Sequence, residues 1–501
     1  MELKDIFYKW VPVWVRLPVL FVFFFTVLSA NGVYLGNSTD MYSGLGVYPE
    51  PFTAAYNAIY IGFGLGLMID VRLKMRFTGK TLILWGFSIM FLGNLINMFT
   101  SNPIVMILSC LVLGFCKVAA LIEIYIIWLL IWSKKFDTRR FYPFVYLTAL
   151  GGIYFVTWLT GRLAYLYNWR YAYIVILMLI ALCLLFALIF VQNNKLHRPL
   201  PLYQLDILGI LLLAGGLLLL NYIIVYGKVE NWWESETIQG ATVLVPVAFL
   251  GFLVRELTVK RPYLPLAKFK VTTMIRGLVF FFLLGIFLPS NIQGAFTAGV
   301  LGFENIRNAE LNLYLIPGVA AGAVLSYIWY FYNRNTELLL FLGTAAFVAY
   351  NIILYNKLAT GLGPEDFWVM SIIRGFGTAV MYICIGLYTT SNFPLGTIMG
   401  AAGMMILVRS FLGSAVIAGI YSYFLYAGRI RHLDILAANT STDAGLAPKG
   451  AAYYREMVGQ ATLAASKEMC GFIIIAGIII LAVILVSHFY RQATHRHRIL
   501  N

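Results

Sequence analysis

The strongest constraint on this chain is that its apolar residues arrive in runs of about twenty, again and again, with mostly short polar segments between them. Twenty residues of α-helix rise about 30 Å, the thickness of the hydrocarbon core of a bilayer. In that setting every backbone N–H and C=O must bond inside its own segment, so the runs are expected to be helices. We place them at 14–36, 52–70, 81–100, 103–132, 141–166, 170–192, 204–226, 238–258, 277–299, 310–332, 337–357, 367–389, 396–427 and 469–490, fourteen spans in all. Composition agrees. The 501 residues are 61% hydrophobic and only 11% charged, where soluble domains carry about 25% charged residues. Tryptophans gather at run ends, as at Trp10, Trp14, Trp128, Trp132, Trp232 and Trp233, where interfacial anchors belong.

An even number of spans puts both termini on one side. With the N-terminus inside, most of the 36 Lys and Arg fall in inner segments, among them Lys4, Lys9 and Arg16, then Arg72, Lys74, Arg76 and Lys80, then Lys134, Lys135, Arg139 and Arg140. The linker 259–276 and the C-terminal tail, with Arg491, Arg496 and Arg498, continue the series. Acids mark the outer segments instead: Asp40, Glu50, Glu230, Glu234, Glu236, Glu365 and Asp366. This is the positive-inside bias. The net charge of +15 therefore carries topology, and nucleic acid is not expected as a partner. The expected location is a bacterial inner membrane, with both termini cytoplasmic.

The five cysteines, Cys110, Cys116, Cys183, Cys384 and Cys470, lie in or beside apolar runs with no C-x-x-C pair. That predicts free thiols, with no disulfide framework and no zinc site. The stretch from Met1 to Val11 leads into the first run without a small-residue cleavage site and is read as uncleaved. Gly79-Lys80-Thr81 lacks the upstream glycine of a phosphate loop. The histidines lie outside the span cores, and His495-x-His497 is at most an adventitious metal site. Neither an enzyme nor a cofactor or metal is expected.

Several stretches, taken in order, resemble the major facilitator superfamily and within it the fourteen-span drug:proton antiporter branch, the EmrB/QacA type. Gly66-Leu67-Met68-Ile69-Asp70 followed by Arg72, Lys74, Arg76, Gly79 and Lys80 is similar to the G-x-x-x-D loop with its basic cluster. Asn168-Trp169-Arg170-Tyr171 resembles the W-R element before the sixth span. Tyr203 to Tyr226, with Asp206, Gly209 and Gly215-Gly216, resembles the first of the branch's two extra spans, and Arg261-Pro262-Tyr263-Leu264-Pro265-Leu266 with Phe269 the linker after the second. Leu301-Gly302, Pro317-Gly318, Arg374-Gly375-Phe376-Gly377 and Arg409 to Gly413 resemble later elements. The chain also departs from the branch. Pro18 to Gly36 contains no acid where an Asp is usual, Cys110 stands where the fourth span usually has Arg, and Val156-Thr157 where the fifth has Gly-Pro.

The resemblance implies two six-helix bundles, 1–192 and 277–501, with two extra spans and a basic linker at 193–276. It also implies alternating access, and a gating latch formed by Gly66, Asp70, Arg72, Lys74 and Arg76.

The residues themselves add candidates. A charge at the bilayer centre costs about 2.5–3.5 kcal/mol and needs a partner or a cavity. Lys117, Glu123, Arg374 and Arg409 all fall inside expected spans. Lys117 lies two turns beyond Cys110 and reads either as a displaced substitute for the family's Arg or as half of a structural ion pair. Glu123 reads either as a proton-coupling carboxylate or as half of a static pair, and Asp70 as an acceptor for the first N–H groups of the third span. Six residues apart on one helix, Lys117 and Glu123 face different ways. Arg374 and Arg409 are cavity-charge candidates. Asn31, Tyr34, Asn57, Tyr154, Gln293 and Tyr382, with Tyr60 and Asn94, are candidates to line a substrate path.

The long segment 428–468 is expected to be periplasmic, with an amphipathic helix over 451–467. That helix would lie on the membrane, act as a lid on the outer rim, or dock a partner. The expected function is proton-coupled export of hydrophobic or amphipathic small molecules. By resemblance, a periplasmic adaptor and an outer-membrane channel are partners alongside lipid and protons. A dedicated transporter of one lipid-like or siderophore-like compound and a non-transporting scaffold are the alternatives.

Overall fold

The structure, a computed structural model, describes residues 6–36, 38–132, 138–193, 205–264, 272–332, 335–390, 398–440 and 450–500. Lys4, Asn37, Lys134, Lys135, the linker residues 265–271 and the segment 441–449 lie outside the described residues, as do the side chains of His495 and His497. Among the described residues the chain is helical, apart from turns and one isolated β-bridge between Phe7 and Val191.

In chain order the helices are α1 (Val13–Ser29), α2 (Gly32–Gly36), α3 (Ser38–Leu45), α4 (Glu50–Arg76), α5 (Gly79–Phe99), α6 (Pro103–Trp132), α7 (Thr138–Leu166), α8 (Trp169–Phe190), α9 (Ile207–Tyr226) and α10 (Glu236–Thr258). They continue as α11 (Thr272–Leu284), α12 (Asn291–Gly299), α13 (Asn305–Leu313), α14 (Leu315–Phe331), α15 (Thr336–Lys357), α16 (Trp368–Thr390), α17 (Ile398–Ile406), α18 (Ile417–Thr440) and α19 (Gly450–Leu500). A π-helical stretch, Leu407–Val416, joins α17 to α18.

Twelve helical segments among the described residues are long and apolar enough to cross a membrane. The first and ninth expected spans differ. Each is a broken helix: Val13–Ser29 is followed by the short α2, and Thr272–Leu284 gives way to α12 after an irregular stretch containing Pro289. Proline has no N–H to continue a ladder. Interrupted helices of this sort persist in membranes where protein rather than lipid surrounds the freed backbone groups.

Two compact units divide the chain, Met1–Phe282 with Gly386–Val416, and Leu283–Ile385 with Ile417–Asn501. The first unit is organised around α4 and α6. Gly62 and Gly66 on α4 and Gly114 on α6 let the two backbones touch, and a Cβ on any of them would fall inside contact distance of the opposite main chain. Close approach through small residues is the usual way helices gain dispersion energy where lipid offers no hydrophobic contrast. Gly86 on α5 meets Ala120 of α6 in the same manner. Thr78 caps α5 by accepting from the Thr81 N–H at 3.3 Å. Asp206 caps α9 through Gly209 N–H at 3.0 Å and takes Arg255 Nε of α10 at 2.6 Å, pairing these two helices. Asn57 donates to Asn221 Oδ1 at 2.8 Å and Asn221 donates to the Ala54 carbonyl at 2.9 Å, clasping α9 to α4.

In the second unit α14 and α16 meet through Gly318 and Gly375, each against opposite backbone. The segment expected as an outer loop is largely helix. Helix α18 runs on to Thr440, and α19 runs unbroken from Gly450 through the last span, 51 residues in all. At 1.5 Å per residue that is about 77 Å, far more than a bilayer core requires. The helix expected over 451–467 is thus present, and it is continuous with the last span. Ala465 packs on Gly428, and Glu468 pairs with Arg431, with His432 3.4 Å away, so the two helices pack on one another.

Candidate functional site

The first unit contains a cavity of about 370 Å³. Its walls come from the last three turns of α4, the second half of α6, the first half of α7 and the start of the α17 region. Most of the lining is apolar, including Leu67, Met75, Ile122, Ile126 and Met405. The polar exceptions are Asp70 and Lys74 at one edge, and Thr138, Tyr142, Tyr146, Thr390 and Arg409 on another side, with Tyr125 between them. A mostly apolar concavity with a few fixed polar groups is the ordinary form of a small-molecule site.

The acidic edge is built from two helices. Asp70 and Lys74 stand four residues apart on α4, the spacing that stacks side chains on one face. Lys74 Nζ reaches Glu123 Oε1 of α6 at 3.2 Å. Glu123 is 3% exposed and Asp70 1%. The Glu123 carboxylate also lies against the first residue of α5, where a side chain on Gly79 would meet Oε2 at about 3.1 Å. The positive end of the α5 dipole therefore helps to hold this anion.

This arrangement changes two sequence readings. Glu123 sits at the level of the α4–α5 turn, beside the basic loop, and not isolated in the centre of a span. It is Glu123, not Asp70, that occupies the N-terminus of the third span. Both oxygens of Asp70 are buried without a hydrogen-bond partner, and its electrostatic neighbours are Glu123 and Lys74. Two carboxylates thus share one lysine. Gly66 is the contact that seats this end of α4 on Phe115 of α6. Arg72 is half-buried, and Arg76 is exposed at the end of α4.

On the far wall Arg409, in the π-helical stretch, donates from Nη1 to Tyr146 OH at 3.0 Å and from Nε to Ser410 Oγ at 3.3 Å. Its guanidinium also lies 5.7 Å from the centre of the Tyr146 ring. Tyr142, one turn before Tyr146 on α7, lines the same cavity as Thr390. These phenols escaped the sequence reading. Their signal was present: two tyrosines four residues apart near the start of a span put two hydroxyls on one helix face.

The remaining candidates lie elsewhere. Lys117 is 3% exposed with its ammonium 4.7 Å from the centre of the Phe63 ring. No hydrogen bond or ion pair to it is found among the described residues. Tyr34 donates to Asn94 Oδ1 at 3.1 Å and accepts from Asn97 Nδ2 at 2.8 Å. Asn97 also reaches Cys110 Sγ at 3.3 Å and accepts from Ser109 at 2.6 Å. Tyr34, Asn94 and Cys110 therefore belong to a closed polar network tying α2, α5 and α6 together, with Asn97 and Ser109 its unforeseen members. Asn31 is buried at the break between α1 and α2, and Asn57 is committed to its clasp with Asn221. Tyr60 exchanges a hydrogen bond with Tyr56 at 2.9 Å. Tyr154 is half-buried on α7.

In the second unit Arg374 donates to Gln293 Oε1 at 3.0 Å and to the Leu288 carbonyl at 2.7 Å, and Tyr350 donates to the same Gln293 oxygen at 2.8 Å. These bonds bind the irregular stretch before α12 to α15 and α16. Tyr382 is half-buried on α16.

No protein-family model matches the chain. Among curated proteins it is similar to the lincomycin resistance protein LmrB of Bacillus subtilis, 24% identical over 320 residues, covering 54% of this chain and 63% of that protein. It is also similar to the MFS-type transporter YcnB of Bacillus subtilis, 24% identical over 278 residues, 52% of this chain and 54% of that one. The matched region thus spans between about half and two-thirds of these relatives' own length. Among solved structures, a proton-dependent oligopeptide transporter superposes with a TM-score of 0.60 at 15% identity, over 94% of this chain and 97% of that one. The nucleoside transporter NupG gives 0.58 at 12% identity, over 94% and 98%. These relatives and neighbours are transporters, not enzymes. The chain is a multi-pass, all-α membrane protein with the major facilitator fold that these transporters share.

Proposed function

We propose that the protein is a secondary active transporter that moves hydrophobic or amphipathic small molecules out of the cell. In this reading it is proton-coupled and cycles between states in which its cavity opens to opposite sides of the membrane. The observation that carries the reading is the apolar cavity of the first unit, bordered by buried Asp70 and by Lys74, the lysine that pairs with buried Glu123. An apolar volume binds an apolar cargo. Two buried acids with one cation between them make a site whose charge balance favours taking up a proton. The resistance function in LmrB's name agrees with small-molecule export. The basic ends of the helices are taken as cytoplasmic.

Everted membrane vesicles test this. Uptake of fluorescent amphiphiles should follow an imposed proton gradient, stop when the gradient is collapsed, and fail in Glu123→Gln while the protein stays inserted. Uptake that ignores the gradient, or that is equal in vesicles lacking the protein, would refute it.

A further inference from the structure

Among the described residues, three charged side chains line the cavity: Asp70, Lys74 and Arg409. Asp70 lines it, yet its oxygens are sealed from contact. Lys74, whose side chain is 22% exposed, already engages Glu123. Arg409 is half-buried and borders the open volume, with Tyr146 and Tyr142 beside it. One polar part of the lining is therefore a guanidinium beside phenol hydroxyls, groups of the kind that donate to an anion. Elsewhere in the lining, Leu67, Ile122 and Ile126 present hydrocarbon.

A second feature marks the same wall. Arg409 lies near the start of ten consecutive π-helical residues, Leu407–Val416. Runs with this wider turn are rare, mostly single-turn, and frequent at functional sites. The change of register alters which side chains of this segment face the cavity.

We infer that the cavity is selective for amphiphiles with one anionic headgroup of the carboxylate type, and that Arg409 is the anchor for that headgroup, held in aim by Tyr146. The apolar body of the ligand lies along α4 and α6. The inference rests on the transport reading for its biological sense, but binding can be measured without transport.

The full chain in nanodiscs of zwitterionic lipid is labelled with a long-chain carboxylate carrying a diazirine, and the labelled peptides are identified by mass spectrometry. Dodecanoate, dodecylamine and dodecanol, equal in chain and different in head, then compete. Label should fall on α6, α7 or the α17 region. Dodecanoate should compete at about tenfold lower concentration than the amine or the alcohol, and Arg409→Gln should remove that preference, as loss of a charged hydrogen bond predicts. Arg409→Lys should retain part of it. Tyr146→Phe should weaken dodecanoate about threefold or more while leaving dodecanol unchanged, by the same reasoning for a neutral bond. The melting temperature of each variant is followed in parallel, and if Arg409→Gln does not fold, the headgroup comparison and Tyr146→Phe decide the matter. Equal competition by amine and carboxylate, an unaltered preference in a folded Arg409→Gln, or label confined to lipid-facing positions would overturn the inference. Carboxylate-selective binding without proton-linked flux would refute the transport reading alone. Flux of lipophilic amines without a carboxylate preference would refute this inference alone.

Discussion

The shared lysine at the edge of the cavity makes an asymmetric prediction about stability. Lys74→Met removes the one ammonium found 3.2 Å from Glu123 and leaves two carboxylates, 3% and 1% exposed, without it. At that distance and an effective dielectric of 20 the pair attraction is about 5 kcal/mol before desolvation is set against it. Removing one partner of a buried pair typically costs about 3–5 kcal/mol. Lys74 retains 22% of its side-chain exposure, so water screens part of the pair, and a loss of about 2–3 kcal/mol is expected.

Glu123→Gln is the milder change. It leaves Lys74 free to turn to water and keeps a hydrogen-bonding group in place, so about 1 kcal/mol is expected. In the double variant the Glu123 charge stranded by Lys74→Met is gone, and only Asp70, which makes no ion pair with Lys74, loses the ammonium, so it should lie close to Glu123→Gln alone. The buried thiols of Cys110, Cys183, Cys384 and Cys470 supply the assay: a thiol-reactive dye reports unfolding of the purified protein in detergent. The expected order of melting temperature is wild type, then Glu123→Gln with the double variant, and last Lys74→Met. If Lys74→Met melts with Glu123→Gln, or the double variant loses the sum of the two, the two residues are not coupled and the reasoning is wrong.

Two further outcomes follow from the same structure. Gly114→Ala pushes a Cβ into the Ile59 backbone of α4 and should cost about 1–3 kcal/mol by overpacking, whereas Gly151→Ala, with nothing within 4 Å, should be neutral or gain up to about 1 kcal/mol from helix propensity; equal melting temperatures would show that the α4–α6 contact is loose. In the α9–α10 connection, hydrogen bonds from Thr237, then Tyr222, and Ser235 hold the Glu230 carboxyl below its ordinary value of 4.5. A carboxyl depressed in the folded state contributes stability above the unfolded value and loses it as pH falls through the folded one. Glu230→Gln should therefore melt slightly below wild type at neutral pH, with the gap closing below about pH 4.5; a gap that widens in acid would contradict this.

Most of the fold was legible because the bilayer leaves a chain few options. Twelve long apolar helices stand where apolar runs were read, since twenty apolar residues in lipid have little choice but helix. What hydropathy does not carry is continuity. The runs at 14–36 and 277–299 look unbroken by polarity, yet the backbone turns at Ala30–Asn31 and before Pro289. Conversely, polarity at 428–440 suggested a loop and at 451–467 a separate amphipathic helix, and the spans on either side ran on through both. Ala465 on Gly428 and Glu468 on Arg431 give these residues a partner helix, and a paired helix does not need hydrocarbon around it to persist.

The site was legible in its parts and not in its assembly. Glu123 and Arg409 were singled out by charge in an apolar setting, which is a local property, and Asp70 and Lys74 by their resemblance to the G-x-x-x-D loop and its basic cluster. That Lys74 belongs to Glu123, and Arg409 to Tyr146, depends on where α4 meets α6 and where α7 meets the π-helical stretch. The first of these meetings is fixed by Gly62, Gly66 and Gly114, whose role is visible only in three dimensions. Glu123 shows the difference most clearly. Counted along α6 it lies nine residues from the helix end at Trp132, deep enough to suggest mid-membrane. Yet α6 is 30 residues long, about 45 Å, and so exceeds a hydrocarbon core of about 30 Å. Such a helix must carry part of its length outside that core, and the first turn of α5 meets it at Glu123. Depth in a span is thus a question about neighbours as much as about distance along the chain. The same reasoning separates Lys117, also on α6 but six residues earlier, which meets the Phe63 ring and no acid among the described residues. One helix carries a charge that is answered by a neighbouring helix end and a lysine, and another that is answered only by an aromatic face. It is the first of these whose partner, Lys74, borders the cavity.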